Sequence, residues 1–115
     1  MNQAKPSRGE IWFLNPDPTQ GREQAGSRPG LVISVNEFNY GPSDLVVILP
    51  VTSKAKGIPF HVPLAPTEGG VRQASFVKCE DVRSVSRSRL IERWGMVAPE
   101  TLAAVEERLR ILIGL

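Results

Sequence analysis

Residues 31–51, LVISVNEFNYGPSDLVVILPV, decide the fold of this chain. Leu31–Val35 is an apolar run of β-branched and aliphatic residues, which is typical of a strand. Leu45–Leu49 is a second, continuous apolar run, which predicts a central strand buried on both faces. Between them, Asn39–Ser43 has the composition of a turn. We therefore expect an antiparallel hairpin, in which the start of the first strand lies beside the end of the second.

Working outward, the same patterns predict further short strands separated by turns. They are expected at Glu10–Leu14, Phe60–Leu64, Ala74–Cys79 and Val82–Val85, with Leu90–Ile91 as either a short strand or the end of a bend. Pro63 cannot donate a ladder hydrogen bond, so its strand is expected at a sheet edge. Strands at this spacing predict a small barrel or sandwich.

The period of the apolar residues changes near the C-terminus. Apolar side chains three and four positions apart form one helical stripe, at Leu102, Val105, Leu109 and Leu112. Pro99 suits a first helical turn and Gly114 suits a helix end. We therefore expect a mostly β domain spanning residues 1–115, with one C-terminal helix covering part of the sheet.

Composition narrows the classes of function. The net charge is only +2, with a pI near 9.0, so a nucleic-acid site has to come from a local basic patch. The single cysteine excludes an intrachain disulfide and favours a reducing cytoplasm. We expect no secretory leader and no membrane-spanning segment. One histidine and one cysteine, His61 and Cys79, form no recognisable metal-binding pattern, so we expect no metal and no cofactor.

Two polar loops adjoin the predicted hairpin. Gly21–Gly30, GREQAGSRPG, precedes its first strand and brings Glu23, Gln24, Ser27 and Arg28. The second loop follows the central strand and brings Thr52, Ser53, Lys54 and Lys56. In an antiparallel hairpin, Arg28 and Thr52 meet at one end of the sheet.

An arginine beside a hydroxyl suits a phosphodiester. The guanidinium stabilises charge on the phosphorus oxygens, and the hydroxyl positions the phosphate or relays a proton. RNA supplies its own nucleophile, the 2′-OH, so such a site needs no covalent enzyme intermediate. Taken separately, Arg28 also fits a solvated turn and Thr52 a strand-end cap.

The remaining reactive residues favour structural roles. His61 lies between apolar residues of a short strand, and nothing near Cys79 in sequence marks an activating partner. Trp12, Phe13 and Trp94 are expected in the core or at an interface. A basic stretch either forms a solvated face or flanks an RNA groove; its cations are Lys78, Arg83, Arg87, Arg89 and Arg93.

The chain resembles the MazF/PemK family of toxin endoribonucleases. Four blocks carry the resemblance in family order: RGEIWFLNPDPTQGREQAGSRPGLVIS, LPVTSKAKGIPFHVPL, ASFVKCEDVRSV and GMVAPETLAAVEERLRILIGL. The resemblance implies an SH3-like small barrel and a homodimer. It also implies cleavage of single-stranded mRNA at short motifs without metal, leaving a 2′,3′-cyclic phosphate and a 5′-hydroxyl.

The resemblance also assigns residues and a partner. The family's arginine before proline falls on Arg28, its threonine on Thr52, and a glutamate that assists proton transfer or contacts RNA on Glu23. Its RNA groove falls on Arg8, Ile58, Glu80 and Asp81. Many members have glutamine at the position of Asp81, and a carboxylate there accepts hydrogen bonds but donates none. A MazE-like antitoxin with an acidic tail is the implied inhibitor.

Two other functions fit a small barrel with a basic patch. One is a nucleic-acid-binding module without catalytic activity, and the other is a CcdB-like toxin that acts on a topoisomerase. Cleavage of RNA in the presence of EDTA distinguishes the endoribonuclease from both.

Overall fold

The computed structural model describes residues 4–15 and 27–115. These residues form seven strands and two α-helices, with short 3-10 turns at Glu68–Gly70 and Arg87–Arg89. The strands are β1 (Glu10–Leu14), β2 (Arg28–Val32), β3 (Leu45–Thr52), β4 (His61–Leu64), β5 (Ser75–Lys78), β6 (Arg83–Ser86) and β7 (Leu90–Met96). The helices are α1 (Asn36–Asn39) and α2 (Pro99–Ile113).

The strands form one antiparallel sheet in the order β4-β5-β3-β2-β1-β7, with β6 also paired to β3. The predicted mostly β fold with a C-terminal helix is confirmed. The hydrogen-bonded order ends at β4 and β7, so within the described ranges the sheet stays open where a barrel would close. Pro63 lies in β4, at the edge that its missing N–H predicts.

The central strand β3 contributes to two apolar clusters, one on each face. Leu49 and Val51 pack in the larger cluster with Ile11, Leu31 and Val77. Alternate residues of the same strand, Val46 and Ile48, pack in the second cluster with Trp12, Leu14 and Val85. Successive strand residues point to opposite faces, so the continuous apolar run is buried on both sides as predicted.

Helix α2 covers the larger cluster. Val105 is fully buried, and Leu102 and Leu109 pack against the same cluster. The helix ends at Gly114, whose φ of 77° lies in the left-handed region that glycine tolerates best. Among the described residues, no helix has the length and apolar character needed to span a membrane.

Most strands differ from their predicted bounds by one to three residues, and the differences in β2 and β7 have clear physical reasons. β2 begins at Arg28, so Pro29 and Gly30 lie inside the strand. A Cβ on Gly30 would lie 2.9 Å from Leu14 Cδ1 and 3.2 Å from Ile48 Cδ1, so a larger residue here would displace these two packed side chains. β7 runs for seven residues, beyond the predicted Leu90–Ile91. It continues through charged residues such as Glu92 because an edge strand with one exposed face accepts them.

Candidate nucleic-acid interface

Arg28 and Thr52 lie at the same end of the sheet. Arg28 is the first residue of β2 and Thr52 is the last residue of β3. The antiparallel ladder pairs Gly30 with Pro50 at this end, and Arg28 and Thr52 each lie two residues beyond that last pair.

The two side chains also project from one face of the sheet. Directly opposite residues in a ladder share a face, and alternate residues along a strand share it too. Val51, next to Thr52, faces the larger apolar cluster, so Thr52 faces the other way. Arg28 is exposed and Thr52 is partly buried, which leaves both accessible to a ligand.

The Thr52 hydroxyl is oriented by the backbone that follows it. Its Oγ1 accepts a hydrogen bond of 3.1 Å from the Lys54 amide. This is the local strand-end cap that Thr52 alone would predict. Because the hydroxyl accepts in this bond, its proton remains available for donation to a phosphate oxygen.

Positive charge gathers along the loop that leaves β3. Ser53, Lys54, Lys56 and Ile58 are all exposed. Together with Arg28, the two lysines provide three exposed cations on segments that begin or end at the site. An anionic polymer is the ligand that such a surface favours.

The loop between β1 and β2 is described only at its ends. Glu23 and Gln24 lie outside the described residues. Ser27, immediately before Arg28, is partly buried. At the other end, Arg89 donates to the carbonyl oxygen of Asn15 from Nε at 3.1 Å and from Nη2 at 2.9 Å. Arg89 therefore fixes the point where the chain leaves β1, next to β2 and its Arg28.

Arg8 lies at the opposite end of β1 from this site. Leu14, at the end of β1, pairs with Arg28, whereas Arg8 precedes the start of the strand. Its guanidinium forms a 2.7 Å ion pair with Glu106 of α2, and its amide donates to Asn36. Within one protomer, Arg8 is therefore not brought together with Arg28 and Thr52.

Glu80 and Asp81 lie in the turn between β5 and β6, alongside the middle of β3. Asp81 accepts two hydrogen bonds from Arg83, at 3.0 and 2.9 Å, and Lys78 approaches it at 3.7 Å. The hydrogen bond from Arg83 outweighs partial burial and lowers the pKa of Asp81, and the same contact raises the pKa of Arg83. The carboxylate is thus ionised and held in one orientation.

His61 holds the neighbouring carboxylate. Its side chain is 3% exposed, and its Nε2 lies 2.9 Å from Glu80 Oε2. Burial opposes ionisation of Glu80, but the contact with His61 prevails and lowers the pKa of the carboxyl. The structural role predicted for His61 agrees with this geometry.

Cys79 is unsuited to nucleophilic chemistry. It is fully buried in the larger cluster. Burial raises the pKa of its thiol to about 11, so the thiol stays protonated at neutral pH.

The arginines of the basic stretch bind groups of the protein itself. Arg83 pairs with Asp81, Arg87 with Asp44, and Arg93 with Glu10. Arg89 binds the Asn15 carbonyl, as described above. The stretch is therefore largely structural, and the exposed charge near Thr52 comes from the other loops.

Some residues that shape the site were missed from sequence. In the sequence Arg89 is only one cation among several, because nothing local shows that it reaches Asn15, 74 residues away. Phe76 was not singled out, although it lies directly opposite Thr52 in the β3–β5 ladder. Its position in a strand of alternating burial was the one available signal.

Comparison with known proteins adds a family match over most of the chain. Residues 7–113 match the family described as PemK-like, MazF-like toxin of type II toxin-antitoxin system. Endoribonuclease toxin MazF of Escherichia coli K12 is 34% identical, with 99% of each chain covered. Endoribonuclease MazF9 of Mycobacterium tuberculosis is 34% identical, with 94% of this chain and 96% of the relative covered.

A solved structure agrees with the fold. A MazE–MazF crystal structure from Deinococcus radiodurans superposes with a TM-score of 0.84 at 38% identity. The match covers 98% of this chain and 99% of that one.

Proposed function

Because the chain belongs to the PemK-like, MazF-like family of type II toxin–antitoxin toxins, we propose that it is an endoribonuclease that cuts single-stranded mRNA without a metal ion. The observation that carries this proposal is the placement of Arg28 and Thr52 on one face, at one end of the sheet. Relatives that match nearly the whole chain are named as endoribonucleases, which supports the same activity.

The reaction uses the substrate's own 2′-hydroxyl as nucleophile. Its oxygen attacks the adjacent phosphorus as the bond from phosphorus to the 5′-oxygen breaks. The 2′-hydroxyl loses its proton and the departing 5′-oxygen gains one, which leaves a 2′,3′-cyclic phosphate and a 5′-hydroxyl. Negative charge develops on the two non-bridging oxygens during this step.

Arg28 and Thr52 act on those oxygens. The Arg28 guanidinium donates hydrogen bonds to them and stabilises the developing charge. The Thr52 hydroxyl, oriented by the Lys54 amide, donates a further hydrogen bond and fixes the phosphate against the sheet. Glu23 is the proposed participant in proton transfer, on the strength of the family resemblance.

The remaining predicted residues bind the RNA strand. Lys54 and Lys56 attract its phosphates, and Ser27, Ser53 and Ile58 contact the strand from the loops beside the site. Gln24, which lies outside the described residues, is assigned the same role from its place in the sequence. Glu80 and Asp81 accept hydrogen bonds from bases, with Arg83 holding Asp81 in place. Arg8 joins the groove through a homodimer, since it is remote from Arg28 in its own protomer.

The same cationic surface is the proposed binding site of a protein inhibitor. A MazE-like antitoxin with an acidic segment binds the surface formed by Arg28, Lys54 and Lys56, and so competes with RNA. The relative from Deinococcus radiodurans was crystallised with MazE, which supports a partner of this kind. The cytoplasm, where mRNA is found, is the proposed site of action of the single domain.

One assay tests the activity. The purified chain is incubated with a long single-stranded RNA in EDTA, and the products are mapped and analysed for their end groups. We expect discrete fragments with 5′-hydroxyl ends, and no cut where a 2′-deoxynucleotide replaces the one before the cleaved bond. Intact RNA with a mobility shift would instead indicate a binding module. Intact RNA without a shift, together with a block of DNA replication, would indicate the topoisomerase-directed toxin.

A further inference from the structure

Phe76 is an aromatic residue that lies outside both apolar clusters of the described structure. It occupies β5 between Ser75 and Val77, which are both buried. Val77 belongs to the larger cluster, whereas Phe76 is only partly buried and is a member of neither cluster. Strand alternation therefore directs Phe76 away from the larger cluster.

The face that carries Phe76 is the face of the proposed active site. The β3–β5 ladder pairs Thr52 directly with Phe76, and the β4–β5 ladder pairs Phe76 with Pro63. Arg28 projects from the same face of the neighbouring strand β2, two residues beyond the last pair of the β2–β3 ladder, so these residues form one row across four adjacent strands. Neighbouring strands lie about 4.8 Å apart, so Phe76 is one strand spacing from Thr52, and Arg28 lies on the strand beyond.

The row changes in character from one end to the other. Arg28 offers a cation and Thr52 a hydroxyl, both suited to a phosphate. Phe76 is a partly exposed ring, and Pro63 beside it is exposed and apolar. Since a ribose separates each phosphate of RNA from its base, an apolar surface one strand beyond the phosphate site is in position to receive the base.

We propose that Phe76, flanked by Pro63, is a stacking platform for the base of a nucleotide next to the cleaved phosphate. This inference rests on the proposed function, because it takes Arg28 and Thr52 to bind that phosphate. Every base has a π-face, so stacking contributes affinity with little discrimination between bases. Phe76 is thus an RNA-binding residue, and Glu80 and Asp81 remain the ones that read base edges.

The test compares Phe76→Leu and Phe76→Trp with the wild-type chain. Phe38→Leu is the matched control, because Phe38 is an exposed phenylalanine (38%) far from the site. It lies in α1, which comes just before the start of β3, whereas Thr52 is at the other end of that strand. Binding is measured with a short RNA made uncleavable by a 2′-deoxynucleotide, and cleavage kinetics with its all-ribose counterpart. Melting temperatures report any effect on folding.

We expect Phe76→Leu to weaken RNA binding on the order of tenfold, with most of the loss in KM, while Phe76→Trp and Phe38→Leu bind like wild type. RNA should quench the added fluorescence of Phe76→Trp after subtraction of the wild-type signal from Trp12 and Trp94. Wild-type affinity in folded Phe76→Leu would overturn the inference. If Phe76→Leu does not fold, the test depends on Phe76→Trp. The inference is then overturned if RNA binds this variant without changing the fluorescence of its introduced tryptophan.

These outcomes separate the platform from the activity. Wild-type cleavage with no effect of Phe76→Leu overturns the platform and leaves the endoribonuclease intact. Binding of the uncleavable RNA that depends on Phe76, with no cleavage of ordinary RNA, supports the platform and overturns the activity. Absence of RNA binding by the wild-type chain overturns both.

Discussion

The placement of Arg28 and Thr52 on one face, at one end of the sheet, predicts energetic coupling between them in catalysis. The perturbation is a double-mutant cycle of Arg28→Ala, Thr52→Val and the variant with both changes. Each single change removes a hydrogen-bond donor aimed at charge that develops in the transition state, which costs on the order of 10²-fold in rate. Two independent losses of this size would multiply to about 10⁴-fold.

The geometry predicts a smaller combined loss. The side chains share one face at one end of two neighbouring strands, so we expect both to contact the same phosphate. Once one donor is absent the phosphate is misplaced for the other, and residues that act as a unit are strongly non-additive. We expect the double variant to lose about 10²- to 10³-fold, well short of the product.

The assay is single-turnover cleavage of one RNA at saturating protein, with melting temperature as the folding control. Arg28 is exposed, and Thr52→Val removes only the hydrogen bond to the Lys54 amide, so stability should change by less than about 1 kcal/mol. Thr52→Ser retains the hydroxyl and should cut within about tenfold of wild type. Full multiplication in the double variant, or wild-type rates in Thr52→Val, would refute the shared phosphate site.

Two further predictions concern stability. Glu10 is buried, and although burial raises its pKa, hydrogen bonds from the Ser7 amide, Arg93 and Trp12 prevail and lower that pKa below 4.5. Its contribution to stability is therefore complete above pH 4.5 and is lost as the pH falls through the folded pKa. The free energy of unfolding of Glu10→Gln, measured by urea denaturation, should therefore depend less on pH in that acid range than that of the wild type. An unchanged pH profile would contradict this. Glu68 accepts hydrogen bonds from the Ala98 amide and the Thr101 hydroxyl at the start of α2, so Glu68→Ala should cost about 1 kcal/mol of unfolding free energy. Glu107→Ala, at an exposed position in the middle of the same helix, is its control, and equal melting temperatures of the two variants would remove the capping role.

The part of the site that sequence predicts is the part fixed by neighbouring strands. Apolar runs on both sides of a turn specify the β2–β3 hairpin, and the hairpin alone brings Arg28 and Thr52 to one end. The full length of β7 cannot be predicted in this way, because Glu92 and Arg93 interrupt its apolar pattern. Their charges are tolerated because β7 is an edge strand, which only the assembled sheet defines.

The pairing of distant strands sets the other limit. Phe76 reaches Thr52 through the β3–β5 ladder, and the register of that ladder has no local signature. Arg8 shows the converse case: the family resemblance groups it with Arg28, but nothing in the sequence shows that the length of β1 separates the two residues. Residue types therefore indicate the chemistry, whereas ladder registers decide which of those residues meet.

The pairing of β1 with β7 has a consequence for synthesis of the protein. Glu10 pairs with Met96, and Leu14, the neighbour of Arg28 across the β1–β2 ladder, also pairs with Leu90. During synthesis on the ribosome, the backbone groups on one edge of β1 stay without their β7 partners until β7 has emerged. An RNA-cutting chain ordered in this way completes its sheet only after most of its own message has been translated.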